Sequence, residues 1–136
     1  ELTERMLMDD LGEVQRRLRE IKALGVQIAV DDFGTGYSSL GHLKELPIDK
    51  IKIDRSFVQD LPHDRDAVAI TQAIIQLARS LGLAVIAEGV ENEAQQRFLA
   101  DLGCDEWQGL IVSAPLTAPA LEAWAETRRA LATARA

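Results

Sequence analysis

A chain of 136 residues with 47% apolar and 4% aromatic side chains carries enough apolar surface for one buried core, so one domain or part of one is expected. The formal charge of -7 excludes a groove binder of nucleic-acid polymers, whose affinity comes from phosphates neutralised by Lys and Arg; an anionic small substrate would need a metal or local basic residues. The single cysteine, Cys104, rules out an internal disulfide and reads as a small apolar filler in a reducing, cytoplasmic compartment.

Residues 1 to 8, ELTERMLM, read as the mouth of a strand running into a short apolar connector. Because the first residue is Glu1 rather than Met and already belongs to a motif, the chain is expected to begin inside a domain. The helix that follows has Asp10 as candidate N-cap, Glu13 three residues on, Leu11, Val14, Leu18 and Ile21 at helical spacing, and Gly25 at its end. Val26, Ile28, Ala29 and Val30 then form a strand that stops in two adjacent carboxylates, Asp31 and Asp32, before a loop holding Gly34 and Gly36. Neighbouring carboxylates repel, so a fold that holds both at the end of an apolar strand supplies a cation or a basic partner. The plainer alternative is that one Asp caps the next helix, which spans about Ser38 to Glu45 and closes at Pro47.

Asp49 to Asp54, DKIKID, alternates like a strand, with Ile51 and Ile53 facing one way and Lys50, Lys52 and Asp54 the other. After a turn at Pro62, the spacing predicts a helix from about Arg65 to Leu81 that buries Ile70, Ile74, Leu77 and Leu81 and ends at Gly82. The apolar run Leu83 to Ala87 reads as a strand covered on both faces, and it ends in Glu88 and Gly89. Asn92 with Gln95 opens a further helix with Ala94, Phe98 and Leu102 as its stripe, closed by Gly103. A strand near Glu106 to Val112 carries Gln108, Thr117 with Pro119 starts a last helix holding Leu121 and Trp124, and an Ala- and Arg-rich tail over 127–136 is expected to fray.

A unit recurs: helix, Leu-Gly, apolar strand, polar residue at the strand's far end. It is seen at Leu24-Gly25, Leu81-Gly82 and Leu102-Gly103, ending at Asp31, Glu88 and Gln108. Repeated strand-helix units with right-handed crossovers give a parallel sheet, and polar residues at the C-terminal ends of several strands mark the active face of a (βα)8 barrel. Five strand ends are visible counting Glu1, so about three of the eight units are expected outside this chain. In such a barrel Glu1, Asp31, Asp32, Lys52, Glu88 and Gln108 converge on one mouth. Oxygen donors without a Cys/His cluster suit a hard cation, Mg2+ or Mn2+, rather than zinc. Two such ions a few ångströms apart suit phosphodiester hydrolysis, with Asp31 placed to bridge. His42 and His63 fall on a short helix and in a turn and read as solvated surface residues.

The wording DDFGTGYSSL, then IDKIKIDRSF, VIAEGVE and GCDEWQG, in that order, resembles the EAL domain family of cyclic-di-GMP phosphodiesterases. The resemblance runs from ELTE at residues 1–4 through SAPL at 113–116 and covers the C-terminal part of such a domain, taken here as residues 1–126. The tripeptide that names the family, and the Asn-bearing strand after it, are not in this chain. The resemblance implies metal-dependent hydrolysis of cyclic di-GMP to linear pGpG in bacterial second-messenger signalling. By the same resemblance Glu1 and Asp31 help hold a first Mg2+ or Mn2+, Asp31, Asp32 and Glu88 a second, Lys52 contacts or polarises the attacking water, and Gln108 orients water or substrate. Glu4 would tie down the DDFGTGYSSL loop. A homodimer through the loop and helix after Asp32, and a fused regulatory or GGDEF-type domain, are implied as partners. Leu110 and Ala114 stand where family members carry an aromatic and a basic residue, which bears on purine contacts or the packing of the final strand.

Two other readings compete. A degenerate EAL domain would sense cyclic di-GMP or bind a protein without cleaving the nucleotide. A response-regulator receiver also uses paired acids and a Lys at strand ends, but its acids follow the first strand and its Lys the last. Here Lys52 comes 21 residues after Asp31 with two strands still to follow. Taken singly, Lys52 reads equally as an exposed strand Lys or a neutraliser of Asp31 and Asp32, and Glu88 as a helix cap.

Overall fold

In the computed structural model, residues 1–3, 6, 11–36 and 40–133 are described. The elements run β1 (Leu2–Thr3), α1 (Leu11–Lys22), β2 (Ala29–Phe33), α2 (Leu40–Glu45), β3 (Lys50–Ile53), α3 (Arg55–Val58), α4 (Arg65–Ser80), β4 (Ala84–Glu88), α5 (Glu93–Leu102), β5 (Glu106–Gln108) and α6 (Ala118–Thr133). The five strands form one sheet in the order β1-β2-β3-β4-β5, and every neighbouring pair is parallel. A sheet whose spatial order equals its sequence order is singly wound, the arrangement of a (βα)8 barrel wall. The receiver order, which reverses at a switch point, is thereby excluded. The fold is the C-terminal part of a TIM-type barrel, as the recurring unit predicts.

Register divides the sheet into two faces, because residues paired across a parallel ladder point the same way. Val30, Ile51 and Val85 share one rung, and Ile53, Ala87 and Trp107 another. These rungs face the helices, and all of their members but the half-buried Trp107 are fully buried. The opposite, lumen face carries Asp31, Lys50, Lys52, Ile86, Glu88, Glu106 and Gln108. Ala84, Ile86 and Glu88 are only half-buried, so the two-sided cover expected for this strand is present on one side.

The helix faces are set by size as much as by apolarity. Asp64 caps α4 by accepting the Ala67 N–H at 2.7 Å. The buried face is Ala67, Thr71, Ile74, Ile75 and Ala78, while Ile70, expected inside, is exposed and Leu77 is half-buried. Small side chains at 67, 71 and 78 let the helix approach the strands closely. In α1 only Leu18 is buried and Ile21 is exposed. The expected capping box of α5 is present, with Asn92 and Gln95 each accepting from the other's backbone. Its stripe is Gln95 and Leu99 rather than Ala94, which is exposed.

Several boundaries differ from expectation, and β2 begins at Ala29 rather than Val26. β2 runs two residues past Asp31, β5 stops at Gln108 where the backbone turns at Gly109, and α6 continues through Thr127 to Thr133. Asp10, Ser38 and residues 134–136 lie outside the described residues. Cys104 is buried with its Sγ 3.2 Å from the Glu106 carbonyl, and burial pushes the thiol up to about 11, which fits an inert filler.

Candidate active site

On a regular strand Asp31 and Asp32 would point to opposite faces. The ladder avoids this with a bulge: Val30 pairs Ile51 and Phe33 pairs Ile53, so both aspartates stand against the single residue Lys52. Asp32 takes a left-handed φ of 54°, its N–H donates to Asp31 Oδ1 at 3.1 Å, and its carbonyl accepts the Thr35 hydroxyl at 2.8 Å. The strained residue thus turns its carboxylate to the same side as its neighbour's. Oxygens of Asp31, Asp32 and Glu88 lie within 4.8 Å of one another.

Lys52 rises between these strands and is 3% exposed. Its Nζ lies 2.7 Å from Glu88 Oε1, 3.0 Å from Asp31 Oδ1 and 3.0 Å from Glu1 Oε1. Burial works against the ammonium charge, but hydrogen bonds to Glu88, Asp31 and Glu1 outweigh it and hold its pKa above the usual Lys value. Gln108 Nε2 donates to the same Glu88 oxygen at 2.8 Å.

All six residues expected at the mouth are brought together: Glu1, Asp31, Asp32, Lys52, Glu88 and Gln108. Glu1 precedes β1 rather than ending it; Thr3 pairs Asp31, so Glu1 shares the lumen parity and reaches Lys52 from below. The Gln108 side chain meets Glu88. Glu4 lies outside the described residues, as does the side chain of His42, and His63 is exposed in its turn. Asp54 caps α3, accepting the Ser56 N–H at 2.9 Å.

Four carboxylates around one ammonium leave a surplus of negative charge. An all-oxygen donor set that already closes on one cation, the Lys52 ammonium, is chemically suited to a hard divalent ion. The sequence reading missed the Arg55–Glu91 ion pair at 2.6 Å and the Lys50–Glu106 pair on the lumen face below Lys52. Their partners are 36 and 56 residues apart, and only the register joins them. Beside Gln108, an apolar groove of 250 Å³ runs between Trp107 and Trp124, lined also by Val112, Ala114, Leu116 and Leu121. Leu110 projects into solvent at 61% exposure.

The EAL domain family model matches residues 1–115. The bifunctional diguanylate cyclase/cyclic di-GMP phosphodiesterase MucR of Pseudomonas aeruginosa is 50% identical over 121 residues, which are 89% of this chain and 18% of that protein. A solved MucR phosphodiesterase in complex with c-di-GMP superimposes with a TM-score of 0.83 at 49% identity, covering 88% of this chain and 49% of that one. The manganese/cy-diGMP complex of Klebsiella pneumoniae BlrP1 gives a TM-score of 0.74 at 33% identity, covering 83% of this chain and 29% of that one; a calcium complex of the same protein also matches. The chain thus spans about half of the solved MucR chain and less than a fifth of the curated MucR protein. With that match over residues 1–115, and the motif residues gathered at one strand mouth, the chain belongs to the EAL domain family.

Proposed function

We propose that this chain supplies the C-terminal half of a metal-dependent phosphodiesterase site that opens cyclic di-GMP to linear pGpG. One observation carries the reading: the Asp31, Asp32 and Glu88 carboxylates meet within 4.8 Å at the mouth of parallel strands, beside the ammonium of a buried lysine. The similarity to proteins named cyclic di-GMP phosphodiesterases and solved with the nucleotide supports it.

Glu1 and Asp31 would hold one Mg2+ or Mn2+ ion, and Asp31, Asp32 and Glu88 a second; such ions would lower the pKa of water and offset charge on the phosphate oxygens. Lys52, whose ammonium is held by Glu88, Asp31 and Glu1, is placed as a donor: it orients the attacking water or takes charge from the phosphoryl oxygen. In hydrolysis a water oxygen bonds to phosphorus, one ring P–O bond breaks, and the proton lost by water ends on the departing sugar oxygen. Glu88, held by Lys52 and Gln108, is the carboxylate placed to carry that proton. Gln108 orients Glu88 and, through it, water or substrate. Glu4 is assigned to the DDFGTGYSSL loop, which with α2 forms the homodimer contact, and a fused GGDEF-type domain completes a cytoplasmic signalling protein. No described helix is long and apolar enough to cross a membrane.

The test is hydrolysis of cyclic di-GMP by the intact domain containing this chain, with Mg2+ or Mn2+ and after chelation. Metal-dependent formation of pGpG is expected. Tight nucleotide binding without cleavage would replace the enzyme by the degenerate sensor.

A further inference from the structure

Glu88 is the last residue of β4, and its Oε1 takes both the Lys52 ammonium and the Gln108 amide. A side chain at a strand end is only as fixed as the turn behind it. That turn, 89–91, is gripped from two sides. On one side, a Cβ at Gly109 would lie 2.2 Å from the Val90 carbonyl oxygen and 2.4 Å from the Val90 nitrogen, so two backbones touch. There the Val90 N–H donates to the Gln108 carbonyl and the Ile111 N–H to the Val90 carbonyl, both at 3.1 Å.

On the other side lies Arg55. Its aliphatic stem covers Gly89 so closely that a Cβ there would sit 2.4 Å from Arg55 Cγ and 2.9 Å from Cδ. Its guanidinium continues to Glu91 Oε1 at 2.6 Å. The root of Arg55 is fixed as well, because it opens α3 directly after the capping Asp54, three residues after Lys52 in the chain.

We propose that Arg55 is a positioning residue that straps the Glu88–Glu91 turn to the end of β3, and so sets the Glu88 carboxylate between Lys52 and Gln108. The inference rests on the reading of Glu88 as a site carboxylate. The Arg55–Glu91 pair is largely exposed, so it adds little to global stability, and its effect is local.

Nuclear magnetic resonance of the intact domain containing this chain tests this without catalysis. In Arg55→Ala the Gln108 side-chain amide resonance shifts, and solvent exchange of the Val90 and Glu91 amides rises roughly fivefold, while the Ile51 and Val85 amides keep their protection. Arg55→Lys, which keeps a stem and a charge, restores most of both. Absence of either change in Arg55→Ala overturns the proposal. An exchange increase spread equally over Ile51 and Val85 does so too, since it makes Arg55 a general stabiliser. Neither readout requires hydrolysis, so an inactive intact domain would count against the phosphodiesterase reading alone.

Discussion

The two ends of this sheet use the same residue types for opposite purposes. At the N-terminal ends each acid is matched. Asp49 accepts the Ile28 N–H at 2.8 Å and the Lys22 ammonium at 2.6 Å, and Asp105 accepts the Val85 N–H at 2.8 Å. At the C-terminal ends Asp31 and Glu88, joined by Glu1, share the one Lys52 ammonium, and Asp32 crowds beside them on a left-handed backbone. Carboxylates that satisfy backbone amides contribute to stability, whereas crowded ones cost stability and make sense only through what they bind.

That contrast can be broken in several ways, beginning with the most complete effect. The proposed site is assembled from strand ends and needs a closed barrel; among the described residues β1 and β5 each leave one sheet edge unpaired. The 136-residue chain alone should therefore turn over no cyclic di-GMP and should sediment as an associated species; a stable monomer hydrolysing at the rate of the intact domain would refute this. Next, Lys52→Met in the intact domain keeps the apolar stem and removes the donor, so hydrolysis should fall about a thousandfold with the melting temperature little changed. A large loss of melting temperature would instead make Lys52 a charge balancer.

Asp31→Asn takes one charge from a ligand shared between cations, and metal-dependent turnover should drop about a hundredfold, with stability unchanged or raised by the relief of repulsion. Undiminished turnover removes Asp31 from the site. At the other end Asp49→Ala should leave turnover intact and cost about 1–2 kcal/mol in urea unfolding. The hydrogen bond from Lys22, and then that from the Ile28 amide, hold Asp49 below the usual carboxylate range. Its folded value is therefore the depressed one. The stabilisation is full above the unfolded value of about 3.9 and is lost as pH falls through the folded one. The acid limb of stability against pH should flatten in Asp49→Ala; an unchanged limb would assign acid sensitivity elsewhere.

Much of this was legible in the residues. An apolar run meeting a polar residue marks Asp31 and Glu88 and predicts the parallel order, whereas Lys52 and Gln108 stand out through the family wording KIKIDRSF and GCDEWQG. The bulge was not legible: strand alternation sends Asp31 and Asp32 to opposite faces, and nothing in VDDF announces the extra residue that reunites them. On α4 apolarity points to Ile70 as well as to the buried Ile74, whereas close helix-strand approach selects Ala67, Thr71 and Ala78. The seat of Arg55 over Gly89 exists only once β3 and β4 lie side by side.

The sequential strand order has a further consequence, for how the chain is made. No strand is inserted between two earlier ones, so each can dock on its predecessor as it leaves the ribosome, and no completed pair has to reopen. Contacts between neighbours close short loops, which keeps contact order low for a parallel sheet. Lys52 can thus meet Asp31 before Glu88 docks, and the mouth of the site can gain its residues one strand at a time.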